Sequence, residues 1–429
     1  MKNSGIEWIG EIPDSWELVR FKDICANKKE VAGNNSADYE RLALTLNGVI
    51  KRPKDDSEGL QPKEFDGYQI IHENDFIFKM IDLQNISTSR VGLSPYTGLV
   101  SPAYIRFVPR KENQYNKFTY YFLMSMYYNC VYNSLGGNGV RSALNATDMG
   151  QFKIPYPSIE VQKKIVSFLE QKFVAVDELI ANQQGQIEKL KEYKQSVITE
   201  AVTKGLDKSA PLKDSGIEWI GEIPESWNMV RLKNLGWTQN GISKGGEFFG
   251  KGYPFVSYGD VYKNMILPEK VAGLIETNEI ECNNYSVQEN DIFFTRTSET
   301  IEEVGFSCVC KKTIPNAVFA GFLIRVRLFD FDTINIDYAK YYFRGSHIRK
   351  YLVKEMNLVT RASLGQGLLK TMSVTIPRME EQKEIADYLD DKCGKIDRLI
   401  AIKQEKIEKL QEYKKSLIYE YVTGKKEVV

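Results

Sequence analysis

The sequence predicts an α/β (α+β) fold in which two pseudo-twofold-related globular domains are separated by two long antiparallel helices forming a coiled coil. Three observations carry this reading. Residues Ser4 to Trp16 recur as Ser215 to Trp227 with one change, Glu225 in place of Asp14. Residues 162–203 align without a gap on 382–423, at an offset of 220, and 22 of these 42 positions are identical. Between these matching ends the two middles, 24–150 and 236–370, share only scattered positions. The chain is therefore a tandem duplication whose frame was kept while its middles diverged.

Each half opens on the tryptophan motif. Gly5, Gly10 and Pro13 forbid a long helix there and predict an extended segment tucking Trp8 and Trp16 against a core. Strand-like runs follow at 75–79 and 103–108 in the first half and at 291–295 and 322–327 in the second. Glu73-Asn74-Asp75 and Glu289-Asn290-Asp291 read as the same turn in both copies. Aromatic-rich helical stretches come next, at 118–128 and 338–351. An Arg-x-x-Leu element then precedes a closing strand and proline. Arg141, Leu144 and Pro157 match Arg361, Leu364 and Pro377 at the same offset of 220.

From Gln162 and Gln382 onward, apolar residues alternate at three and four spacing. Leu169, Phe173, Val176, Ile180, Ile187, Leu190, Val197 and Ala201 form one seam, and Leu389 to Tyr421 repeat it. Gln183, Lys194, Lys403 and Lys414 interrupt the seams at equivalent places, which suits fixing of register and partner. Gly394 beside Cys393 predicts a break near 174 and 394, between a short docking helix and a longer one. The 28 residues from Val176 to Thr203 would span about 42 Å. The polar linker 205–214 carries the chain into the second tryptophan motif, so by symmetry the C-terminal helix should end near the first. The predicted division is a first domain at 1–158, a helix with linker at 159–208, a second domain at 209–378 and a second helix at 379–429.

Composition narrows the function. A chain of 429 residues fits two domains plus connecting elements. Lys plus Arg equals Asp plus Glu at 57 each, so any basic surface is local or supplied by a partner. No apolar run reaches the length of a membrane span, and the polar start offers no secretory core, which predicts a cytoplasmic chain without membrane association. The six cysteines show no Cys-x-x-Cys and no duplicated spacing, so packing thiols rather than disulfides are expected.

Catalytic motifs fail on their mechanics. Gly245 to Gly252 resembles a phosphate-binding loop but lacks the final Ser or Thr, and Pro254 blocks the helix that should follow. Gly241-Ile-Ser243-Lys-Gly245 fits a nucleophile-elbow string without a preceding core strand, and only His347 follows as a base. Both strings suit a Gly/Lys/Ser loop able to approach a polyanion, or a plain surface loop. Cys308 and Cys310 lack partners for zinc. No metal or cofactor site is predicted.

What remains is polar and basic residues on loops of the divergent middles. In the first half these are Lys51, Arg52, Lys79, Gln84, Asn85, Arg90, Asn138 and Arg141. In the second they are Ser243, Lys244, Lys251, Arg296, Thr297, Arg361 and Gln366. Arg and Lys suit guanine edges and phosphates, and Asn and Gln suit adenine. A molecule with an approximate twofold axis and two different middles fits a divided target whose halves differ.

The repeated opening motif, the Glu-x-Gln element (Glu160-Val-Gln162, Glu380-Glu-Gln382) and the coil motif at 187–194 and 407–414 together resemble the specificity subunit of Type I restriction-modification systems. The match covers essentially the whole chain, and its specificity lies in the frame. The resemblance implies two target recognition domains, each reading half of an interrupted sequence in double-stranded DNA. It implies two methylation subunits that bring S-adenosylmethionine and modify adenine, and restriction subunits that use ATP and magnesium. Those cofactors and the catalytic residues would belong to the partners, leaving this chain non-catalytic. Alternatives are the specificity subunit of a methylation-only or related restriction system, a coiled-coil adaptor that does not bind DNA, and a self-sufficient nuclease or methyltransferase.

Overall fold

The computed structural model describes residues 1–46, 48–55, 64–83, 90–111, 114–135, 143–298, 304–355 and 362–428. Two compact units result, and the first draws on both ends of the chain. One comprises Met1–Gln183 with Glu405–Val429, the other Gln184–Gln404. The long helices Ile159–Lys204 and Met379–Val422 each run from one unit into the other.

The first unit is built on a four-stranded antiparallel sheet in the order Cys25–Asn27, Ile105–Pro109, Phe76–Lys79, Arg90–Leu93. The second repeats that topology with Gly236–Asn240, Leu323–Leu328, Asp291–Thr295 and Ser307–Val309. The same turn leads into the matching third strand. Asn74 and Asn290 have φ of 68° and 67°, a left-handed conformation that Asn tolerates better than most side chains. The aspartate after each one accepts the backbone N–H three residues back, Asp75 from His72 at 2.7 Å and Asp291 from Gln288 at 2.8 Å. Both carboxylates then reach the neighbouring strand, where Asp75 meets Arg106 and Asp291 meets Arg327, each at 2.6 Å.

Elsewhere the middles differ. The second unit adds another four-stranded sheet, ordered Gly273–Ile275, Phe249–Val256, Ile314–Phe319, Ser286–Val287, with one parallel pairing. The first unit carries two two-stranded pieces instead, Leu42–Thr45 with Gly48–Lys51 and Gln69–Ile71 with Gly98–Val100. The aromatic-rich stretch is one helix in the first unit, Asn116–Tyr128. In the second it splits into Ile336–Tyr342 and a helix beginning at Ser346, with Gly345 between them.

The frame closes each unit in the same way. The strand after the tryptophan motif pairs with the closing strand, Glu17–Arg20 with Lys153–Tyr156 and Asn228–Arg231 with Ser373–Ile376. The long helix starts just beyond, where the Gln162 amide donates to the Pro157 carbonyl and the Gln382 amide to Pro377, both at 2.9 Å. The expected breaks near 174 and 394 are absent, because both helices are continuous, at 46 and 44 residues. One glycine in a helix costs only about 1 kcal/mol, which the packing of Cys393 and Ile396 beside Gly394 outweighs.

Within each unit the two helices run antiparallel. In the first, Lys414 bonds Asp177 at 2.7 Å and the rings of Phe168 and Tyr421 sit 4.6 Å apart. In the second, Lys194 bonds Asp397 at 2.7 Å and Lys403 donates to Gln186. Three of the cations that interrupt the seams are therefore the ones that tie the helices together, as a register device should. Each helix also ends against a tryptophan motif, through a glycine with φ of about 70°. Gly205 lies against Trp227 and Pro224, and Gly424 against Pro13 and Trp16. No helix among the described residues is long and apolar enough to cross a membrane.

Candidate nucleic-acid interface

The two central strands lead to the same construction in both units. In the first, the chain leaves Phe76–Lys79 through Met80 and Ile81. The Leu144 N–H donates to the Met80 carbonyl at 3.1 Å, and Ile81 bridges Ala143. In the second, the Leu364 N–H donates to the Arg296 carbonyl at 2.7 Å, and Thr297-Ser298 pairs with Ala362-Ser363. The tail of each Arg-x-x-Leu element is thus pinned to the outgoing end of a core strand. Arg141 and Arg361 themselves lie outside the described residues, as do Gln84, Asn85 and Asn138.

Lys79 and Arg90 stand directly opposite each other on paired strands, both half-buried. Lys51 and Arg52 lie apart from this pair, at the end of Gly48–Lys51, beside a cleft of about 510 Å³ lined by 37–41 and 51–55. Lys51 bonds Glu40 at 2.6 Å, and that bond raises its pKa above the usual lysine range.

In the second unit three of the sequence candidates converge. Gly321 donates to the Ile242 carbonyl at 2.8 Å, and the Ser243 hydroxyl occupies the space that a Cβ on Gly321 would need. Next along the chain, Phe322 accepts the Arg296 N–H at 2.9 Å, and Thr297 follows. Ser243 is therefore brought to the strand end that carries Arg296 and Thr297, although it lies far from them in sequence. The Arg296 side chain is half-buried and has no hydrogen-bond or ionic partner among the described residues. Phe322 was placed inside a strand by sequence, yet the strand starts at Leu323 and Phe322 is 63% exposed.

The other candidates are held by local partners. Lys244 bonds Glu281 at 2.6 Å and the Glu276 carbonyl at 2.9 Å, and Lys251 bonds Glu276 at 2.8 Å. Gln366 accepts the Thr238 hydroxyl at 2.7 Å at the start of a short helix. The glycine-rich segment around 245–252 runs into the strand Phe249–Val256. Cys308 and Cys310 are buried, and burial pushes both thiols up to about 12.

A family model described as the type I restriction modification DNA specificity domain matches this chain twice, over residues 13–192 and 224–412. The chain belongs to that family. Among its relatives, the MjaVIII type I restriction enzyme specificity subunit of Methanocaldococcus jannaschii is 25% identical, over 96% of this chain and 93% of its own length. The putative MjaX specificity subunit of the same organism is also 25% identical, over 97% and 95%. The EcoKI specificity subunit of Escherichia coli is 25% identical over 88% and 82%. A chain from a structure concerned with complex assembly and conformational transition of the type I R-M system shares the fold, with a TM-score of 0.65 at 15% identity over 96% of this chain and 98% of that one. The two stretches matched by the family model cover both divergent middles and most of both long helices, so membership rests on the duplicated frame as a whole.

Proposed function

We propose that the chain is the DNA-reading specificity subunit of a type I restriction-modification complex, with each divergent middle reading one half of an interrupted double-stranded target. The observation that carries this reading is the repeated strand-end construction: one frame, closed by the same Leu144 and Leu364 hydrogen bonds, presents different side chains in the two units. A protein that only bridged partners would have no use for that difference.

In this reading the chain performs no chemistry. Two methylation subunits supply S-adenosylmethionine and transfer the methyl group to adenine, and restriction subunits supply ATP and magnesium chemistry, in the cytoplasm. The balance of 57 basic and 57 acidic residues fits a DNA clamp whose positive surface is completed by those partners. Within the chain, the reading residues come from Lys51, Arg52, Lys79, Gln84, Asn85, Arg90, Asn138 and Arg141 in one half. In the other they come from Ser243, Lys244, Lys251, Arg296, Thr297, Arg361 and Gln366.

The test is reconstitution of the purified full chain with and without the methylation subunits of its host. Sequence-specific binding and methyl transfer at an interrupted motif should appear only with the subunits present. Methyl transfer or cleavage by the pure chain alone would overturn the proposal.

A further inference from the structure

The pairing of Thr295 with Leu323 places Arg296 opposite Phe322 as the next antiparallel pair, and the 2.9 Å hydrogen bond from the Arg296 N–H to the Phe322 carbonyl continues that ladder. Residues directly opposite on antiparallel chains project from the same face. The second unit thus carries Arg296 and the exposed Phe322 on one face, on a backbone fixed from both sides by Phe322 and Leu364. Neither side chain stabilises the fold visibly. Phe322 is 63% exposed, and Arg296 has no acceptor among the described residues.

The duplication supplies its own control. The matching pairings of Phe78 with Ile105 and Phe294 with Ile324 make Met80 the equivalent of Arg296 and Ala103 the equivalent of Phe322. Met80 is buried at 1% exposure, and Ala103 is a small exposed residue. The same frame position is packing in one unit and a polar and aromatic projection in the other.

We propose that Phe322 and Arg296 form a base-reading pair of the second half-site, Phe322 making apolar contact with a thymine methyl and Arg296 donating to the guanine edge of a neighbouring base pair. The assignment rests on the reading of the chain as a DNA specificity subunit. The chemistry follows from the groups present: the major groove displays the thymine methyl as its apolar feature, and the fork of a guanidinium matches the two acceptors of guanine. The short hydrogen-bonded loop supplies the preorganisation that such discrimination needs.

The experiment uses the complete complex of full-length chain and methylation subunits, with a target library in which each base pair of both half-sites is randomised in turn. For Phe322→Ala, discrimination at one position of the second half-site should fall about tenfold, with the first half-site read as before. Arg296→Gln should relax a neighbouring position of the same half-site to a similar extent. Phe329→Ala, which alters a 62% exposed aromatic just beyond the other end of the same strand, should leave both half-sites unchanged. Unchanged discrimination in Phe322→Ala and Arg296→Gln, or an even loss across every position of both half-sites, overturns the assignment while the wild-type complex still reads an interrupted target. A wild-type complex that discriminates no second half-site overturns the DNA-reading proposal itself, and the assignment with it.

Discussion

Tyr419, near the end of the second long helix, donates its hydroxyl to the carbonyl of Trp8 at 3.2 Å across 411 residues of chain. The contact belongs to a larger closure in which Leu417, Ile418, Tyr421 and Val422 are buried in the core of the first unit. The C-terminal segment is therefore part of the fold of the N-terminal domain. Removing residues 405–429 takes away four core side chains, each worth about 2–5 kcal/mol by truncation, which exceeds a typical net stability of about 5–15 kcal/mol at its lower end. Hydrogen exchange of the truncated chain should show lost protection across residues 1–169 and retained protection across the sheets of the second unit.

The buried pair of Asp291 and Arg327 gives a local test of the shared sheet. Asp291 is fully buried, accepts from both Nε and Nη2 of Arg327 at 2.7 and 2.6 Å, and also accepts the Gln288 N–H. Asp291→Asn leaves the guanidinium without its counter-charge and should destabilise the second unit by about 3–5 kcal/mol. Denaturant unfolding followed by exchange should place the loss in residues 184–404 and leave the first unit near its wild-type stability.

Much of the architecture was legible from the duplication, and the limits were physical. The Glu-Asn-Asp turn could be read because a left-handed Asn followed by an Asx acceptor is a local code, and the structure has it at Asn74 and Asn290. The helical seams were legible through their period, and the contacts of Lys194, Lys403 and Lys414 follow from their place on those seams. The continuity of the helices past Gly394 was not legible, because it depends on what packs beside that glycine. The strand-end cluster shows both sides of the matter. Arg296, Thr297 and Ser243 are selected by residue type, but only the backbone bonds among Ile242, Gly321, Phe322 and Arg296 bring Ser243 to the other two. By the same token Lys244 looked like a free cation, and its partner Glu281 lies 37 residues away.

His347 adds a pH dependence confined to the second unit. Its ring is fully enclosed beside Tyr342, and burial, helped by Lys350, pushes its pKa down to about 3. An unfolded histidine titrates near 6.5, so the unfolded chain binds the proton first. The stability that His347 contributes is present above about pH 6.5 and is lost as pH falls toward 3, with a slope of up to about 1.4 kcal/mol per pH unit. Denaturation midpoints measured between pH 7.5 and 5 should fall more steeply for the wild type than for His347→Gln.

The long helices pass between the units at Gln183 and Gln404. Four residues inserted after each would lengthen both by about 6 Å while turning the following surface by only about 40°, which keeps the apolar seam on its face. The chain should remain folded, and the methylated motif should keep both half-sites with a spacer longer by one or two base pairs, at about 3.4 Å per step. Methylome sequencing of a host carrying the lengthened chain measures that spacer directly. An unchanged spacer would show that the helices do not set the distance.

The central claim is that two readers act independently inside one duplicated frame. The most direct measurement replaces residues 24–150 with the middle of another family member, keeps the rest of the chain, and sequences the methylated motifs of the host. The account predicts that one half of the interrupted motif changes while the other half is read as before. Simultaneous change of both halves, or retention of the original motif, would contradict it.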